Sequence, residues 1–451
     1  MGSKLVAVEE VAAPTKNAIV GGPFGSNLVS RDYVSEGVPV IRGQNMGNKW
    51  VGGEFAFVSN AKATELSPNK ARPGDLVFTQ RGTLGQVAIV PPAPFAEYIV
   101  SQSQMKLTPD LSKVDVHYLY YAFRSPEQQE YIRNSAIQTG VPHTNLGILK
   151  KTPVVLPSLT AQREIASVLC ALDDRIDLLR ETNATLEAIA QALFKSWFVD
   201  FDPVRAKQDG RAPEGMDEVT AALFPDAFEE SELGLVPRGW RASNLGKVVA
   251  ECGGTIQTGP FGSQLHASDY VESGIPVVMP KDIQGRRVVV DTIARIRPSD
   301  ADRLERHKLN VGDIVFSRRG DVERHALIGN REVGWLCGTG CLLVRPGASF
   351  VSSTFLSMTL DSPSARRWLV QHAVGATMPN LNTAILGSVP VLIPPNEVLT
   401  VFENVISTTE AQISQNSATA ETFAALRDTL LPRLISGQLR LPEAEAEALA
   451  A

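Results

Sequence analysis

The chain has few cysteines and histidines and no long apolar segment. Four cysteines and six histidines among 451 residues are too few for a disulfide framework and favour a reducing compartment. Cys337 and Cys341 lie four residues apart, but no further Cys or His lies nearby at ligand spacing, so two core thiols are favoured over a metal site. No apolar run reaches the roughly 18 residues of a membrane-spanning helix, and the N-terminus lacks the apolar core of a signal peptide. We expect a cytoplasmic chain without a membrane partner, a bound metal or a cofactor of its own.

An excess of basic residues is also absent, since the net charge is −6. The charge is unevenly placed, however. Residues 161–232 hold 7 basic and 16 acidic residues (net −9), so the rest of the chain, with 36 basic and 33 acidic residues, is +3. A mildly basic remainder leaves nucleic acid open as a partner, because phosphate contact needs a local cluster more than a high total.

Two long segments carry apolar residues at heptad spacing. The first extends from Leu159 to Trp197 without Pro or Gly, and Thr160 is its predicted N-cap. A helix of that length cannot bury its own stripe, so it needs a partner helix. Its stripe consists of Ile165, Leu169, Leu172, Ile176, Leu179, Asn183, Leu186, Ala190, Leu193 and Trp197. Adding 237 to each number gives a second, more polar stripe of Phe402, Ile406, Thr409, Ile413, Asn416, Ala420, Phe423, Arg427, Leu430 and Leu434. Packing within an ordinary helical domain is the alternative for either stripe alone.

The same offset relates blocks outside the helices. Gly22-Pro23-Phe24-Gly25-Ser26 matches Gly259-Pro260-Phe261-Gly262-Ser263. A Gly-Asp-x-Val-Phe block ending in Arg81-Gly82 matches one ending in Arg319-Gly320, slipped by one residue. So many blocks at one offset show that the chain contains an internal repeat.

Each copy predicts a compact α/β domain followed by one long helix. Short β-branched runs at 38–41, 75–79, 86–90 and 152–156 predict strands, and residues 116–133 and 353–372 predict one helix in each copy. The fold class is therefore mixed α+β. The predicted division is residues 1–157 (first α/β domain), 158–200 (central helix), 201–239 (linker), 240–394 (second α/β domain), 395–440 (distal helix) and 441–451 (frayed tail).

Two copies of a domain-plus-helix predict an arrangement with pseudo-two-fold symmetry. The helices would pair as an antiparallel coiled coil, with the α/β domains at opposite ends. Duplex DNA has local dyads, so two domains on a rigid spacer suit two half-sites separated by a fixed gap. The alternative is a duplicated coiled-coil scaffold that binds protein and has no role on DNA.

Three features of the whole chain resemble the specificity subunit of type I restriction–modification enzymes. They are the repeated Gly-Pro-Phe-Gly-Ser block, the repeated Gly-Asp-x-Val-Phe block, and the helical region that opens with Leu159-Thr160-Ala161-Gln162-Arg163-Glu164. The second helical region departs from the pattern, since Pro394-Pro395-Asn396-Glu397 replaces the Gln-Arg-Glu start. The resemblance implies two target recognition domains that each read half of a split DNA site. It also implies that the helices fix the gap between the half-sites and dock two methyltransferase subunits, which carry S-adenosylmethionine. Restriction subunits would join the complex, and this chain would not be an enzyme.

Candidate DNA contacts come from polar residues in glycine-flanked loops and turns. Arg reads guanine and Gln or Asn reads adenine in the major groove, and hydroxyl and amide groups also serve phosphates. The alternatives are an internal carboxylate partner for Arg81 and Arg319, and plain turn chemistry for the segments near 140 and 380. The candidates are Gln80, Arg81, Thr83, Thr139, His143, Thr144, Asn145, Arg318, Arg319, Thr377, Asn380 and Asn382, followed by Arg42, Gln44, Asn45, Lys281, Arg286 and Arg287.

Residues shared by both copies cannot encode two different half-sites. We therefore expect shared positions to be structural or phosphate-directed, and base readers to differ, as Gln80 differs from Arg318 and His143 from Asn380.

A self-contained methyltransferase or nuclease is the competing enzyme hypothesis. It is disfavoured because Ile393-Pro394-Pro395-Asn396 lacks the leading acid or amide and the aromatic of an adenine methylase, and no third glycine completes a cofactor loop after Gly338-Thr339-Gly340.

Overall fold

The chain forms two compact units in a computed structural model that describes residues 4–138, 141–290, 292–375 and 377–439. Unit 1 comprises Met1–Arg180 with Ser417–Ala451, and unit 2 comprises Glu181–Asn416. Each unit thus contains one α/β domain and one part of each long helix. The predicted frayed tail, residues 441–451, lies outside the described residues.

Unit 1 is built around two sheets. The first is fully antiparallel, and its four strands in spatial order are Ile19–Gly21, Gln104–Leu107, Leu76–Thr79 and Val87–Ile89. The second has five strands in the order Tyr33–Val34, Ala56–Val58, Val38–Ile41, Tyr98–Val100 and Lys70–Ala71, with one parallel pair. A separate pair joins Lys4–Ala7 to Pro153–Leu156 directly before the long helix. The predicted strands at 38–41, 75–79, 86–90 and 152–156 are confirmed within one residue at each end.

Three short helices of unit 1 pack against the four-stranded sheet, and a fourth packs against the five-stranded sheet. The first three are Val116–Arg124, Pro126–Ser135 and Leu146–Lys151, and the fourth is Asn60–Glu65. The prediction of one helix over 116–133 is wrong, because Ser125 is extended, Pro126 follows it, and the Ser125 hydroxyl caps a new helix by accepting from the Gln128 amide. The same break occurs at Ser362-Pro363 in unit 2, so the predicted helix over 353–372 is also two helices.

Unit 2 repeats this plan. Its antiparallel four-stranded sheet has the order Thr255–Thr258, Cys341–Arg345, Ile314–Ser317 and His325–Leu327. A second sheet has the order Tyr270–Val271, Ala294–Ile296, Ile275–Val278 and Leu336–Cys337, and Arg241–Asn244 pairs with Pro390–Ile393 before the second long helix. The α/β domain also has a hairpin of Ile283–Gln284 with Arg287–Val288 and the helices Leu245–Glu251, Pro298–Arg303, Ser353–Asp361, Pro363–His372 and Thr383–Gly387.

The connector between the copies is folded. It contains the helices Asp202–Gln208 and Glu218–Ala222 and a hairpin of Phe228–Ser231 with Gly234–Pro237. Its aromatic side chains pack against the end of the first long helix: the ring of Trp197 lies 5.2 Å from that of Phe224, and that of Phe198 lies 5.9 Å from Trp240. The connector thus belongs to the core of unit 2.

The two long helices are Leu159–Phe198 and Asn396–Ile435, each of 40 residues. All twenty predicted stripe positions are buried or partly buried, so both heptad stripes are confirmed as the packed faces. The N-cap differs from the prediction, since Ser158 rather than Thr160 accepts from the helix, at 3.3 Å from the Ala161 amide. Among the described residues, no helix combines the length and apolar composition needed to cross a membrane.

The first long helix is fastened to the α/β domain of unit 1 by polar side chains. Gln162 is fully buried, accepts from the Asp115 amide at 2.9 Å and donates to the Lys113 and Pro157 carbonyls. Further along the helix, the carboxylate of Asp173 accepts from Tyr121 and lies 2.7 Å from the guanidinium of Arg427. The Arg within the second stripe therefore has a carboxylate partner on the first helix.

In unit 2 the helices meet through an asparagine pair and an aromatic cluster. The Asn416 amide donates to the side-chain oxygen of Asn183 at 2.8 Å, and Asn183 donates to the Ile413 carbonyl at 3.2 Å. The rings of Phe194 and Phe402 lie 6.2 Å apart. The polar stripe positions thus satisfy each other's hydrogen bonds, as a buried polar group requires.

Candidate DNA interface

Three loops of unit 1 meet at one edge of the four-stranded sheet. The strands Ile19–Gly21 and Leu76–Thr79 both end where their shared antiparallel neighbour, Gln104–Leu107, begins. Immediately after Thr79, the amides of Gln80 and Arg81 donate to the Ser103 carbonyl at 2.7 and 3.3 Å. The sheet register therefore fixes the backbone on which Arg81 is presented.

The segment near residue 143 joins the same edge. Arg81 forms an antiparallel β-bridge with His143, and the Thr144 amide donates to the Gln80 carbonyl at 2.9 Å. Arg81 is exposed and His143 is half-buried. Within the described ranges Arg81 has no ion pair with a carboxylate, which contradicts the alternative of an internal carboxylate partner. The structure thus brings together the sequence candidates Gln80, Arg81 and His143, which the sequence had offered as separate loops.

Unit 2 builds the same arrangement with different side chains. The Arg318 amide donates to the Gly340 carbonyl at 2.9 Å, Arg319 bridges Asn380, and the Leu381 amide donates to the Arg318 carbonyl at 2.9 Å. Arg319 is exposed and, like Arg81, has no carboxylate partner in the part of the chain that the structure describes. The equivalent backbone contacts in the two units show that these loops are corresponding sites.

Two polar atoms at the unit 2 site are buried without a hydrogen-bond partner. They are the side-chain oxygen of Asn380 and the Nε of Arg318. An unpaired buried polar group costs about 1–3 kcal/mol, so both atoms favour a state in which a further group supplies a partner. The equivalent positions in unit 1 hold His143 and Gln80, so the two sites offer different donors and acceptors on the same backbone.

Arg286 and Arg287 are not part of this surface. Their guanidinium groups bind the helix carboxylates: Arg286 lies 2.9 Å from Glu187 and 3.3 Å from Glu410, and Arg287 lies 3.3 and 2.7 Å from the same residues. The side chain of Arg286 is only 5% exposed. Ion pairs with carboxylates distant in sequence hold one nitrogen of each guanidinium group, which argues against the prediction of these arginines as DNA contacts. We call these four residues the unit 2 ion cluster.

The asparagines and the threonine of the turn segments have structural roles. Asn145 and Asn382 are helix N-caps, accepting from the Ile148 and Ile385 amides at 2.9 and 2.8 Å. Thr144 is 7% exposed and lines a small cavity beneath the sheet. The side chain of Thr144 is therefore buried in this conformation, and the two N-caps support the turn-chemistry alternative for the asparagines.

The remaining candidates differ in exposure. Thr83 and Thr377 are exposed, and Lys281 is exposed while donating to the Thr292 carbonyl at 2.8 Å. Arg42 is half-buried with an unpartnered Nε. Asn45 is buried, and its side chain forms hydrogen bonds with the backbone of residues 42, 52 and 54, so it shapes its own loop. Gln44 is exposed and donates to the Glu54 carbonyl of the same loop. Thr139 lies outside the described residues.

Sequence reasoning missed two aromatic residues at the same sheet edge. Phe24 and Phe261, from the repeated Gly-Pro-Phe-Gly-Ser block, are 84% and 57% exposed. Their positions differ by the repeat offset of 237. An aromatic kept in a turn of both copies was the available signal, but a sequence alone does not show on which side of the turn the ring lies.

Comparison with known proteins gives matches along the chain. Residues 29–188 match the family model described as the type I restriction modification DNA specificity domain. The specificity subunit of the type I restriction enzyme HindI from Haemophilus influenzae is 27% identical over 470 residues, covering 92% of this chain and 97% of the relative. That of the enzyme MjaIX from Methanocaldococcus jannaschii is 23% identical over 437 residues, covering 94% and 92%.

A solved structure shares the fold. The crystal structure of the type I restriction–modification S subunit from M. genitalium aligns over 96% of both chains with a TM-score of 0.56 at 15% identity. The family-model match over residues 29–188, the relatives aligned nearly end to end and the common fold make the chain similar to the specificity subunits of type I restriction–modification systems.

Proposed function

We propose that each unit reads one half of a bipartite DNA target, so that the chain gives a restriction–modification complex its sequence specificity. One observation carries the proposal. Both units present an exposed arginine without a carboxylate partner among the described residues, bridged to a residue that differs between the copies, His143 in one and Asn380 in the other. The arginine suits phosphate or guanine in either half-site, and the differing neighbour suits discrimination between bases.

The long helices are proposed to pair as an antiparallel coiled coil that sets the gap between half-sites, with pseudo-two-fold symmetry. Three observations within the units support this. Asp173 contacts Arg427, Asn183 contacts Asn416, and Phe194 lies against Phe402, so partner numbers rise along one helix and fall along the other. The domain boundaries remain those expected from the sequence, residues 1–157 and 240–394 being the two target recognition domains.

The partners follow from this role. Two methyltransferase subunits would dock on the helices and supply S-adenosylmethionine and the transfer chemistry, and restriction subunits would join for cleavage in the cytoplasm. This chain would itself carry out no reaction. The relatives' names describe specificity subunits of restriction enzymes.

The test uses this chain assembled with the methyltransferase subunits of its host. Adenine methylation is mapped across a genome for the wild type, R81A and R319A, with R211A as control because Arg211 is exposed and paired with Asp209 in the connector. We expect a two-part methylated motif in the wild type and the control. Because both arginines serve binding, we expect methylation to fall by about tenfold in each site variant. Absence of salt-sensitive DNA binding by the wild-type complex would instead favour the protein-binding scaffold.

A further inference from the structure

The exposed phenylalanines Phe24 and Phe261 lie in loops whose backbone closely approaches a neighbouring segment. In unit 1, a Cβ atom added at Gly22 would lie 1.8 Å from the Ser101 carbonyl oxygen, so only glycine permits this approach of two backbones. The turn beyond it is closed by the Asn27 amide, which donates to the Phe24 carbonyl at 2.7 Å. The loop therefore presents the Phe24 ring to solvent at 84% exposure from a defined backbone.

The loop in unit 2 is built in the same way. A Cβ atom at Gly259 would lie 1.9 Å from the Gly338 carbonyl oxygen. The Gln264 amide donates to the Phe261 carbonyl at 2.8 Å, and the Gln264 side chain accepts from the Phe261 amide at 3.1 Å. A single exposed aromatic is ordinary on protein surfaces. Two at repeat-equivalent positions, on loops fixed by the same backbone contact, indicate a shared purpose.

Both loops lie at the sheet edge that carries the exposed arginines. In unit 1, Gln102 donates to the Gly25 carbonyl at 3.2 Å, and the next residue, Ser103, accepts from the Arg81 amide. In unit 2, the Gly259 amide donates to the Cys341 carbonyl, and the preceding residue, Gly340, accepts from the Arg318 amide. Neighbouring loops that offer an apolar ring and an unneutralised guanidinium match a surface that offers phosphates beside apolar sugars and base faces.

We propose that Phe24 and Phe261 are sequence-independent apolar contacts to duplex DNA, one in each half-site. The proposal rests on the proposed function and assigns it two further residues. Because the same residue stands in both copies, the ring carries no half-site code; it packs against the sugar and base surface and fixes how deeply the neighbouring differing residues enter the groove. The contact releases no counterions, which separates it from the contacts of Arg81 and Arg319.

The experiment measures DNA affinity of the complex assembled with its methyltransferase subunits, on a target duplex and on one with both half-sites scrambled, between about 50 and 200 mM salt. For F24A and F261A we expect affinity to fall by roughly tenfold each, by the same factor on both duplexes and with an unchanged salt slope. For R81A and R319A we expect the slope to fall by about 0.9 for each phosphate contact removed. L111A and V311A remove exposed apolar side chains elsewhere and serve as matched controls.

Two results would overturn the inference. One is unchanged affinity for both duplexes in the F24A/F261A double variant. The other is weakened assembly with the methyltransferase subunits in the absence of DNA, measured by sedimentation, which would make the rings a protein-docking surface. Failure of the proposed function looks different, because the wild-type complex itself would then show no salt-sensitive binding. Unfolding midpoints equal to that of the wild type confirm that the variants are folded.

Discussion

The arginines at the sheet edge differ from Arg286, Arg287 and Arg427 in what their guanidinium groups contact. Arg286, Arg287 and Arg427 each lie within 3.5 Å of a carboxylate, where they hold elements together. Arg81 and Arg319 have no such partner among the described residues, and their backbones are fixed by β-bridges to His143 and Asn380. An unpaired guanidinium on a fixed backbone is available for an external anion, and the paired ones are not.

The residues bridged to these arginines should decide which bases each unit reads. Exchanging them, as in H143N or N380H, changes the donors and acceptors offered to a base edge without changing the shared arginine. We expect H143N to alter base preference only in the half-site read by unit 1, by about 1–3 kcal/mol for the affected base pair, and N380H only in the other. Methylome sequencing of each variant measures this. A change in both half-sites from one substitution would contradict separate reading.

A buried histidine makes the stability of unit 2 sensitive to acid. His325 is buried, stacks on Phe316 and bonds Ser357 through Nε2, and burial lowers its pKa from 6.5 to about 3. In the unfolded chain it gains a proton below about pH 6.5, whereas the folded form stays neutral. The neutral side chain of His325 therefore contributes fully to the unfolding free energy above pH 6.5, and that contribution is lost progressively as the pH falls towards 3.

We expect the unfolding free energy to fall by up to about 1.4 kcal/mol per pH unit in this window on account of His325. Urea unfolding of the wild type and H325Q at pH 7 and pH 5 measures the difference. H325Q should be less stable than the wild type at pH 7, but its unfolding free energy should fall less on acidification. H266Q, at an exposed histidine of the same unit, is the control. Equal losses in the wild type and H325Q would show that burial of this imidazole does not drive the effect.

How far residue roles could be predicted depended on where the partners lie in sequence. Gln80 and Arg81 became candidates because they lie in a glycine-flanked loop after a predicted strand, and His143 because it lies in a polar turn. The ion pairs of Arg286 and Arg287 were missed because their carboxylate partners are 99 to 124 residues away, and no local pattern shows that contact. The exposure of Phe24 depends on a backbone approach at Gly22 that composition alone does not show.

At the scale of elements, each α/β domain is fastened to the helices through equivalent positions. Lys49 and Arg286 differ by the repeat offset of 237, and both lie against the long helices. Lys49 contacts the Cys170 sulfur at 3.1 Å in unit 1, and Arg286 binds Glu187 and Glu410 in unit 2. A basic residue at this point of the domain therefore serves helix attachment in both copies, with a much stronger electrostatic contact in unit 2.

The unit 2 ion cluster should contribute measurably to stability. Burial by itself would raise the pKa of Glu187, but Arg286 and Arg287 outweigh it and hold the pKa below its usual value of 4.5. The ionised Glu187 thus contributes fully to the unfolding free energy above about pH 4.5, and this contribution is lost as the pH falls through its lower pKa in the folded state. We expect E187Q to reduce the unfolding free energy of unit 2 by about 2–4 kcal/mol at pH 7, because it leaves Arg286 buried with one carboxylate fewer.

Denaturant unfolding of E187Q at pH 7 and pH 4 tests this, with E272Q as the control because Glu272 is exposed in the same unit. The difference in unfolding free energy between wild type and E187Q should narrow at the lower pH, as Glu187 of the wild type begins to take up a proton. A stability equal to that of the wild type at pH 7 would mean that desolvation of the four groups cancels their attraction.

The long helices were the most predictable elements, and the short ones were less so. Heptad spacing over ten positions leaves few alternatives, and all the stripe residues of both helices are covered. The helices over 116–133 and 353–372 were predicted as single because apolar periodicity continues across Ser125 and Ser362. The Ser-Pro pairs there were the available signal, since Ser caps and Pro begins a new helix.

At the scale of the whole molecule, the repeat gives both units the same backbone arrangement, while a few side chains of the candidate sites differ between them. Both units keep the four-stranded sheet, the glycine-fixed phenylalanine loop and the arginine bridge. They differ at Gln80 against Arg318 and at His143 against Asn380. The offset of 237 revealed the internal repeat from the sequence. It did not show which of the repeated blocks face solvent, because that depends on strand register.

The proposed role of the helices is tested by changing their length at matched places. In antiparallel pairing, an insertion between Arg180 and Glu181 lies opposite one between Asn416 and Ser417, so one heptad at each keeps the stripes in phase. Seven residues add about 10 Å of helix, which is close to three base pairs at about 3.4 Å each. The double insertion should therefore favour a gap about three base pairs longer.

The half-sites should stay the same, because neither insertion touches a sheet edge. A duplex library in which the gap varies in single base-pair steps, bound by the complex and sequenced, reads gap and half-sites together. The single insertions are the controls: one helix lengthened against an unchanged partner displaces the stripes, so we expect them to lose stability as well as affinity. A double insertion that is stable, binds DNA and still prefers the original gap would show that something other than helix length sets the spacing.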